Sequence, residues 1–348
     1  MRIAIFHDRV PPDAGLADQD TLVQAAAVRQ ALESLGHEVR QLELPDSRDA
    51  IQDLLSDLAP DLAFNLVESS QGSGHTIHAL PSLLEQLGLP FTGAGSKAML
   101  CTANKLLCKA MLRAAHIPTP LWISAWQLLD PGARDIPALS GQWLLKSVWE
   151  HASFGMDNGC VLQSPSRQTL AQALVERMRN LGGDWFAEGF VHGREFNLAL
   201  LEMNGQPVAL PPAEITFHDF DSGRPRIVGH AAKWDESAFE YAHTLRTFDF
   251  PAQDAPLLKE LKSLALACWQ AFDLKGYARV DFRVSEYGRP FVIDINANPC
   301  LSPDAGFAAT LDRASIPFAS AVDAIAKAAL KIAPQQPLQS APRLAASA

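Results

Sequence analysis

Between residues 1 and about 94, short apolar runs alternate with amphipathic stretches. Strands are predicted over 2–6, 38–42 and 61–66, and helices over about 20–34, 48–58 and 76–87. In the first helix Val28, Ala31, Leu32 and Leu35 follow the i, i+3, i+4, i+7 spacing of one buried face, and Gly36 supplies a stop. This alternation predicts a small parallel α/β unit, whose ligands gather beyond the carboxyl ends of its strands. Those ends are the loops 7–17 and 68–75. The second is rich in small and polar residues but has no GK[ST], so it is not a Walker A loop and also reads as a plain solvated connection.

Beyond residue 95 the pattern changes. A helical segment spans about 95–120, with Lys105 and Lys109 one turn apart, a spacing that ordinarily marks a solvated face. Residues 142–146 form an apolar strand ending in Lys146, followed by a loop over 147–155 and a strand over 159–162. A lysine at the end of a buried strand requires a negative partner or an exit to water, and phosphate would serve. A helix over about 168–179 turns Leu170, Leu174, Val175 and Met178 inward. Strands at 185–188 and 194–201 follow, with His192 and Gly193 near their turn. Glu188 ends an aromatic strand, where a carboxylate needs a donor unless the strand end is exposed. The long polar stretch 211–241 reads as a mobile lid, and a helix over 254–272 leads into a final hairpin. Residues 334–348 are poor in core formers and are expected to be a disordered tail. The remainder divides into 1–94, 95–190 and 191–333.

The hairpin, over 276–302, carries the densest chemistry. Residues 279–283 and the end of 291–296 alternate polar and apolar positions around a turn at Tyr287-Gly288. Counting back from a two-residue loop sets Asp281 opposite Asp294 and Arg279 opposite Asn296, all on one face. Two carboxylates would then be cross-strand neighbours about 5 Å apart, which opposes folding unless a positive charge joins them. Two Asp oxygens and an Asn carbonyl suit magnesium. A solvated face on which Arg279 and Arg283 neutralise the aspartates fits equally well.

Composition narrows the partners. The 348 residues are 48% hydrophobic and 20% charged, with a formal net charge of -10. That balance offers no basic footprint for nucleic acid, so an anionic ligand must be held by a few placed cations. The 5 cysteines form neither a zinc spacing nor an even disulfide set, which fits a reducing cytoplasm. No run approaches the length of a membrane span, and the amino terminus has no signal-peptide pattern.

Taken together, several motifs resemble the ATP-grasp superfamily, and within it the D-alanyl-D-alanine ligase group. They are Leu89-Pro-Phe-Thr-Gly-Ala-Gly95, Asn104-Lys105 followed by Ile117-Pro-Thr-Pro120, Glu188 with Gly193-Arg-Glu-Phe196, Ala278-Arg-Val-Asp-Phe282 and Asp294-Ile-Asn-Ala-Asn-Pro299. The resemblance implies an ATP-grasp fold: an amino-terminal α/β domain, then two α+β subdomains with ATP between them. It implies phosphate contacts from Lys105 and Lys146, an adenine or ribose contact from Glu188, a ribose contact from Glu195, and a lid lysine, Lys233, that reaches the γ-phosphate. The loop 150–155, with Glu150 and Ser153, would close over the phosphates. Asp281, Asp294 and Asn296 match ligands of two magnesium ions, with manganese as an alternative, and Arg279 matches the arginine that stabilises the transferred phosphate. The hairpin register, read independently, agrees with this and favours the metal reading.

The implied reaction is an ATP-dependent carboxylate–amine ligation through an acylphosphate, joining amino acids in a cytoplasmic enzyme that relatives suggest is a homodimer. Departures concern the substrates. The group's glutamate, serine and tyrosine network maps nearest to Asp18, Ala152 and Trp234, and cannot form as such, because alanine has no hydroxyl and an indole can only donate. Glu68-Ser69 replaces a His-Gly, Cys300 replaces a glycine, and the serine that holds the second carboxylate is displaced within 303–306, leaving Ser302 as the adjacent substrate-side candidate. Asp18, Glu68 and Ser302 are the expected substrate-binding positions; these departures point away from D-alanine as substrate and leave open whether it is used. Two alternatives stay open: a ligase for a peptide or metabolite carboxylate, and a nucleotide-binding protein without turnover. Cys300 reads as a structural turn cysteine rather than a nucleophile, since no histidine is near it in sequence.

Overall fold

The computed structural model describes every residue except 12, 70–73, 135, 151–152, 222 and 332–348. The expected tail over 334–348 and the position of Ala152 thus lie outside the described residues. The described strands form three sheets.

The first is parallel, in the order β2-β1-β3: β1 (Arg2–His7), β2 (Glu38–Glu43) and β3 (Leu62–Asn65). The central β1 is buried along nearly all of its length, as its run Ile-Ala-Ile-Phe requires of a strand covered on both faces. The helix Leu16–Ser34 starts earlier than expected, at the N-cap Gly15, so Asp18 belongs to the first helical turn and not to a loop. Val28, Ala31 and Leu32 are buried, but Leu35 is not. It follows the last helical residue, where the chain has already turned off the buried face.

The second sheet is antiparallel, in the order β4-β7-β5-β6: β4 (Trp122–Ser124), β5 (Gln142–Ser147), β6 (Val161–Gln163) and β7 (Trp185–Gly189). The strand expected over 159–162 is displaced towards the carboxyl end, because the Asp157 carboxylate accepts from the Gly159 amide at 2.9 Å and holds a helical turn over Asn158–Cys160.

The third sheet contains β8 (Gly193–Met203), β9 (Gln206–Ala209), β10 (Ala213–Phe217), β11 (Thr244–Thr247), β12 (Tyr277–Ser285) and β13 (Pro290–Asn296). Its order is β11-β10-β8-β12-β13, with β9 paired to β8. The stretch 211–241 is therefore only partly a lid: it begins with β10, which pairs with β8. Glu214 obscured that strand in the sequence, yet its carboxylate accepts a two-pronged bond from Arg194 at 2.8 and 2.7 Å.

The register of the hairpin has Arg279 opposite Asn296 and Asp281 opposite Asp294. It arises differently from the count above. The loop has three residues between Ser285 and Arg289, closed by the Gly288 amide on the Ser285 carbonyl at 2.8 Å, with Gly288 at φ +77°. That shifts the ladder by one residue, and an extra residue on β13, Ile293, shifts it back between Phe282–Val292 and Asp281–Asp294.

One face of this sheet is core. Phe196, Leu198, Val280, Phe282, Val292 and Ile295 pack with Leu261, Ala265 and Cys268 of the helix Ala255–Ala271. Each such large side chain stabilises the fold by about 1.5–3 kcal/mol. The opposite face is core at one end, where Ala199, Leu201 and Tyr277 pack with Phe307, Val322 and Ile325, and is left for chemistry at the other.

Gly193, at φ +134°, begins β8 with its α-carbon pressed onto β12, and an added Cβ would fall inside the radius of the Val284 carbonyl oxygen. Gly193→Ala is expected to destabilise the protein by about 3 kcal/mol or more, because backbone on both sides must move. Urea unfolding reads this directly, and an unchanged midpoint would contradict the close approach.

Candidate active site

The pleat of β8, β12 and β13 directs Glu195, Asn197, Arg279, Asp281, Arg283, Asp294 and Asn296 to one face, on a cleft of about 950 Å³. Asp281 is tightly held: Arg279 donates Nε to Oδ1 at 2.8 Å and Nη2 to Oδ2 at 2.9 Å, and Asn197 donates to Oδ1 at 2.8 Å. Arg283 leaves the aspartates alone. It donates to Glu195 at 3.1 Å and to the carbonyls of Val191 and Arg226. Half of the neutralisation anticipated for a solvated face is thus present. Asp294 lies within electrostatic reach of Lys105, Lys146, Lys233 and Arg279. Burial pushes Glu195 above the usual carboxylate range, against the pull of Arg283.

Across the cleft, Glu188 is buried and has a lysine on each side. Lys146 Nζ is 3.4 Å from its Oε1, and Lys109 forms an ion pair with Oε2. Lys109 is 2% exposed, so the solvated face expected for it is wrong. The helix Lys105–Ala114 turns Lys105, Cys108, Lys109 and Leu112 inward as a stripe. Lys109 also donates to Thr119 Oγ1 at 3.0 Å, and Thr119 donates to the Val292 carbonyl at 2.8 Å, tying the lysines to β13. Lys146 approaches the Ile293 carbonyl at 3.5 Å, the group exposed by the extra residue. Lys105 donates to the Glu150 carbonyl at 2.9 Å. Burial lowers the pKa of Lys105 and Lys109. It acts likewise on Lys146, but Glu188 and Asp294 outweigh it and leave that lysine above its usual range.

The loop and the lid are joined. Ser153 donates to the Val228 carbonyl at 2.7 Å, and the His230 amide to the Met156 carbonyl at 3.4 Å. This delivers Lys233, on the helix His230–Trp234, to the neighbourhood of Arg279, Asp281, Asp294 and Glu195, with its pKa lowered first by burial and then by Arg279. The indole N–H of Trp234 is buried there without an acceptor.

The amino-terminal sheet supplies an acidic wall that the sequence only half disclosed. Asp8, just past β1, accepts from the Glu68 and Ser69 amides at 2.8 and 3.1 Å. Gln24 donates to Glu68 at 3.4 Å, and Asp18 and Asp20 also line the cleft. Burial raises Asp8 to about 6; burial and the Asp8 charge raise Glu68 to about 7. The Cys300 thiol donates to Asp20 at 3.1 Å, and burial beside Glu68 keeps it protonated, as a structural cysteine should be. Ser302 is a correction. It is fully buried with its hydroxyl on the Asp20 carbonyl at 3.3 Å, and it does not line the cleft. Every other expected site residue does: Asp18, Glu68, Lys105, Lys146, Glu150, Ser153, Glu188, Glu195, Lys233, Arg279, Asp281, Asp294 and Asn296.

Residues 143–327 match the family model described as D-ala D-ala ligase C-terminus. A D-alanine--D-alanine ligase of Moorella thermoacetica is 31% identical over 304 residues, covering 84% of this chain and 90% of its own. The chain belongs to the D-alanine--D-alanine ligase family. Membership brings with it the class of reaction, ATP-dependent formation of a carbon–nitrogen bond. An uncharacterised protein of Sinorhizobium fredii is 26% identical over 309 residues, covering 86% of this chain and 85% of its own. The crystal structure of the Bacillus anthracis family member shares the ATP-grasp fold, with a TM-score of 0.72 and 21% identity over 95% of this chain and 98% of that one.

Two measurements test this arrangement. Lys109→Met would leave Glu188 with the longer Lys146 contact alone, and is expected to destabilise the family fold by about 3 kcal/mol. In a double-mutant cycle with Glu188→Gln, strict additivity would refute the pairing. Glu68 bears on pH. Its folded pKa of about 7 exceeds the ordinary 4.5, so the folded state holds this proton more tightly, and stability is lost as pH rises between those values. Glu68→Gln should therefore raise the urea midpoint at pH 8, by on the order of 2 kcal/mol, and the gain should shrink towards pH 5. A gain that grows on acidification would overturn the assignment.

Proposed function

We propose that this cleft phosphorylates a substrate carboxylate with ATP and then passes the acyl group to an amine. The observation that carries the reading is the opposition of Asp281 and Asp294 across β12 and β13, on the face where Lys105, Lys146 and Lys233 converge. A family structure from Bacillus anthracis complexed with ATP, with a TM-score of 0.70 and 20% identity, supports placing the nucleotide in this cleft.

Lys105 and Lys146 bind the phosphates as compact charges, and Lys233, brought in with the lid, binds the γ-phosphate. Ser153 and Glu150 belong to the loop that covers them. Glu188 orients Lys146 while it borders the nucleotide, and Glu195, held by Arg283, accepts from a ribose hydroxyl. Asp281, Asp294 and Asn296 form a hard-oxygen set that fits magnesium, or manganese in its place. Such ions, two in this reading, would neutralise the phosphates' charge. Arg279 is fixed by its fork onto Asp281 and points donors at the oxyanion of the amide-forming step. Carboxylate attack on the γ-phosphorus releases ADP and gives an acylphosphate; the amine then displaces phosphate to form the amide.

The substrates are amino acids or short peptides other than a pair of D-alanines. The acidic wall of Asp8, Asp20 and Glu68 suits an ammonium group, with Asp18 at its rim. A pairwise amino-acid screen with mass detection of the product identifies them, and full turnover with D-alanine alone would remove the altered specificity. Asp294→Asn is expected to cut ADP release by about 100-fold or more at fixed magnesium while the fold is kept. ADP release near the wild-type rate would show that this carboxylate is no ligand.

A further inference from the structure

The edge strand β11 brings to the cleft a cation that the sequence did not single out. Arg246 stands opposite Ile215, which stands opposite Glu195, so its side chain leaves the sheet on the face of Asp281 and Asp294. The guanidinium ends against Gly306: a Cβ there would lie 3.3 Å from Nη2, so the glycine makes room for it. Its charged neighbours are Arg279, which repels it, and Asp304, which attracts it. Arg246 is exposed to solvent along the cleft, and partial desolvation and the Arg279 charge hold it below the usual arginine range.

The other cations of the cleft are tethered. Arg9 holds Asp46, Lys146 holds Glu188, Arg279 holds Asp281, Arg283 holds Glu195, and Lys105 holds the Glu150 carbonyl. Lys233 is accounted for by phosphate in the reading above. Among the described residues no carboxylate forms an ion pair with Arg246. A solvent-exposed guanidinium held beside a like charge and over a glycine, with no ion-pair partner among the described residues, is open to a planar carboxylate, which can take two parallel bonds from it. Arg279 acts on Arg246 and also bonds Asp281, so an anion bound at Arg246 would lie near the group that the proposed reaction sets at the oxyanion.

We infer that Arg246 binds the carboxylate of the amine substrate and so selects an amino acid or peptide, and not a neutral amine, as acyl acceptor. This rests on the ligase reading. The experiment supplies MgATP, a panel of the common L- and D-amino acids in turn as donor, and as acceptor either the same amino acids or their carboxamides. Wild type should show a KM for the acid lower by about 30-fold, the worth of a charge-assisted, two-pronged bond. Arg246→Ala should erase that ratio through KM with little change in kcat, and Arg246→Lys should restore part of it. An acid-to-amide ratio that is the same in wild type and Arg246→Ala overturns the inference. Hydroxylamine, a small neutral amine, traps an acylphosphate as hydroxamate with release of phosphate. If wild type forms hydroxamate yet acids and amides react alike, the Arg246 inference alone fails. If no donor in the panel yields hydroxamate, the ligase reading fails and takes this inference with it.

Discussion

The cleft depends on the parity of β12 and β13. A strand changes face at every residue, so a single slip would exchange the apolar and the charged sides of the sheet. The three-residue loop at Glu286–Gly288 introduces such a slip: continued without interruption, it would set Ile293 opposite Asp281 and turn Asp294 into the core beside Phe282 and Val292. The extra residue at Ile293 restores the charged face over the last few residues of β13. It also frees the Ile293 carbonyl, which Lys146 approaches from the second sheet. Backbone irregularity and side-chain chemistry here have one cause.

Charge is the second constraint. Burying lysines is costly, and the chain meets the cost by giving Glu188 two of them and by running Lys109 through Thr119 to the carbonyl of Val292. The chain of contacts joins the helix Lys105–Ala114, β5, β7 and β13, so the positions of the cations are set by the fold before any anion arrives. Prior placement of this kind lets such groups act on developing charge without reorganising.

Much of this was legible in the sequence. The amino-terminal alternation, the long helix before the hairpin and the opposition of Asp281 to Asp294 follow from period and turn chemistry. A two-residue turn with an unbroken ladder and a three-residue turn with one extra residue on β13 give the same opposition, because the two shifts cancel; the adjacent apolar pair Val292-Ile293, which breaks the alternation, marks the extra residue. Lys109 was misread because helical spacing does not tell which side of a helix is covered. Asp8 was passed over because an acid after a strand has no local signature, and its purpose appears only when the Glu68 and Ser69 amides arrive from 60 residues away in sequence. Ser302 misled for the converse reason: nothing in its neighbours announces that Asp20 takes its hydroxyl.

The cleft has a direction. Its amino-terminal wall is acidic, and burial raises Asp8 and Glu68 towards neutrality, with the Asp8 charge adding to the effect at Glu68, a condition that a bound ammonium would relieve. Beside that wall stand two cations, Arg279, whose charge reaches Glu68, and Arg246, which lies against Gly306 with Asp304 near it. A zwitterion bound here can satisfy both signs of charge only with its amino group towards Glu68 and its carboxylate towards Arg279, near the metal-ligand pair of the proposed reaction. A second zwitterion must then present its amine to that carboxylate and direct its own negative end elsewhere, and Arg246 is the cation left to receive it. On the ligase reading, the order of the two residues in the product follows from which cation, Arg279 or Arg246, takes each carboxylate.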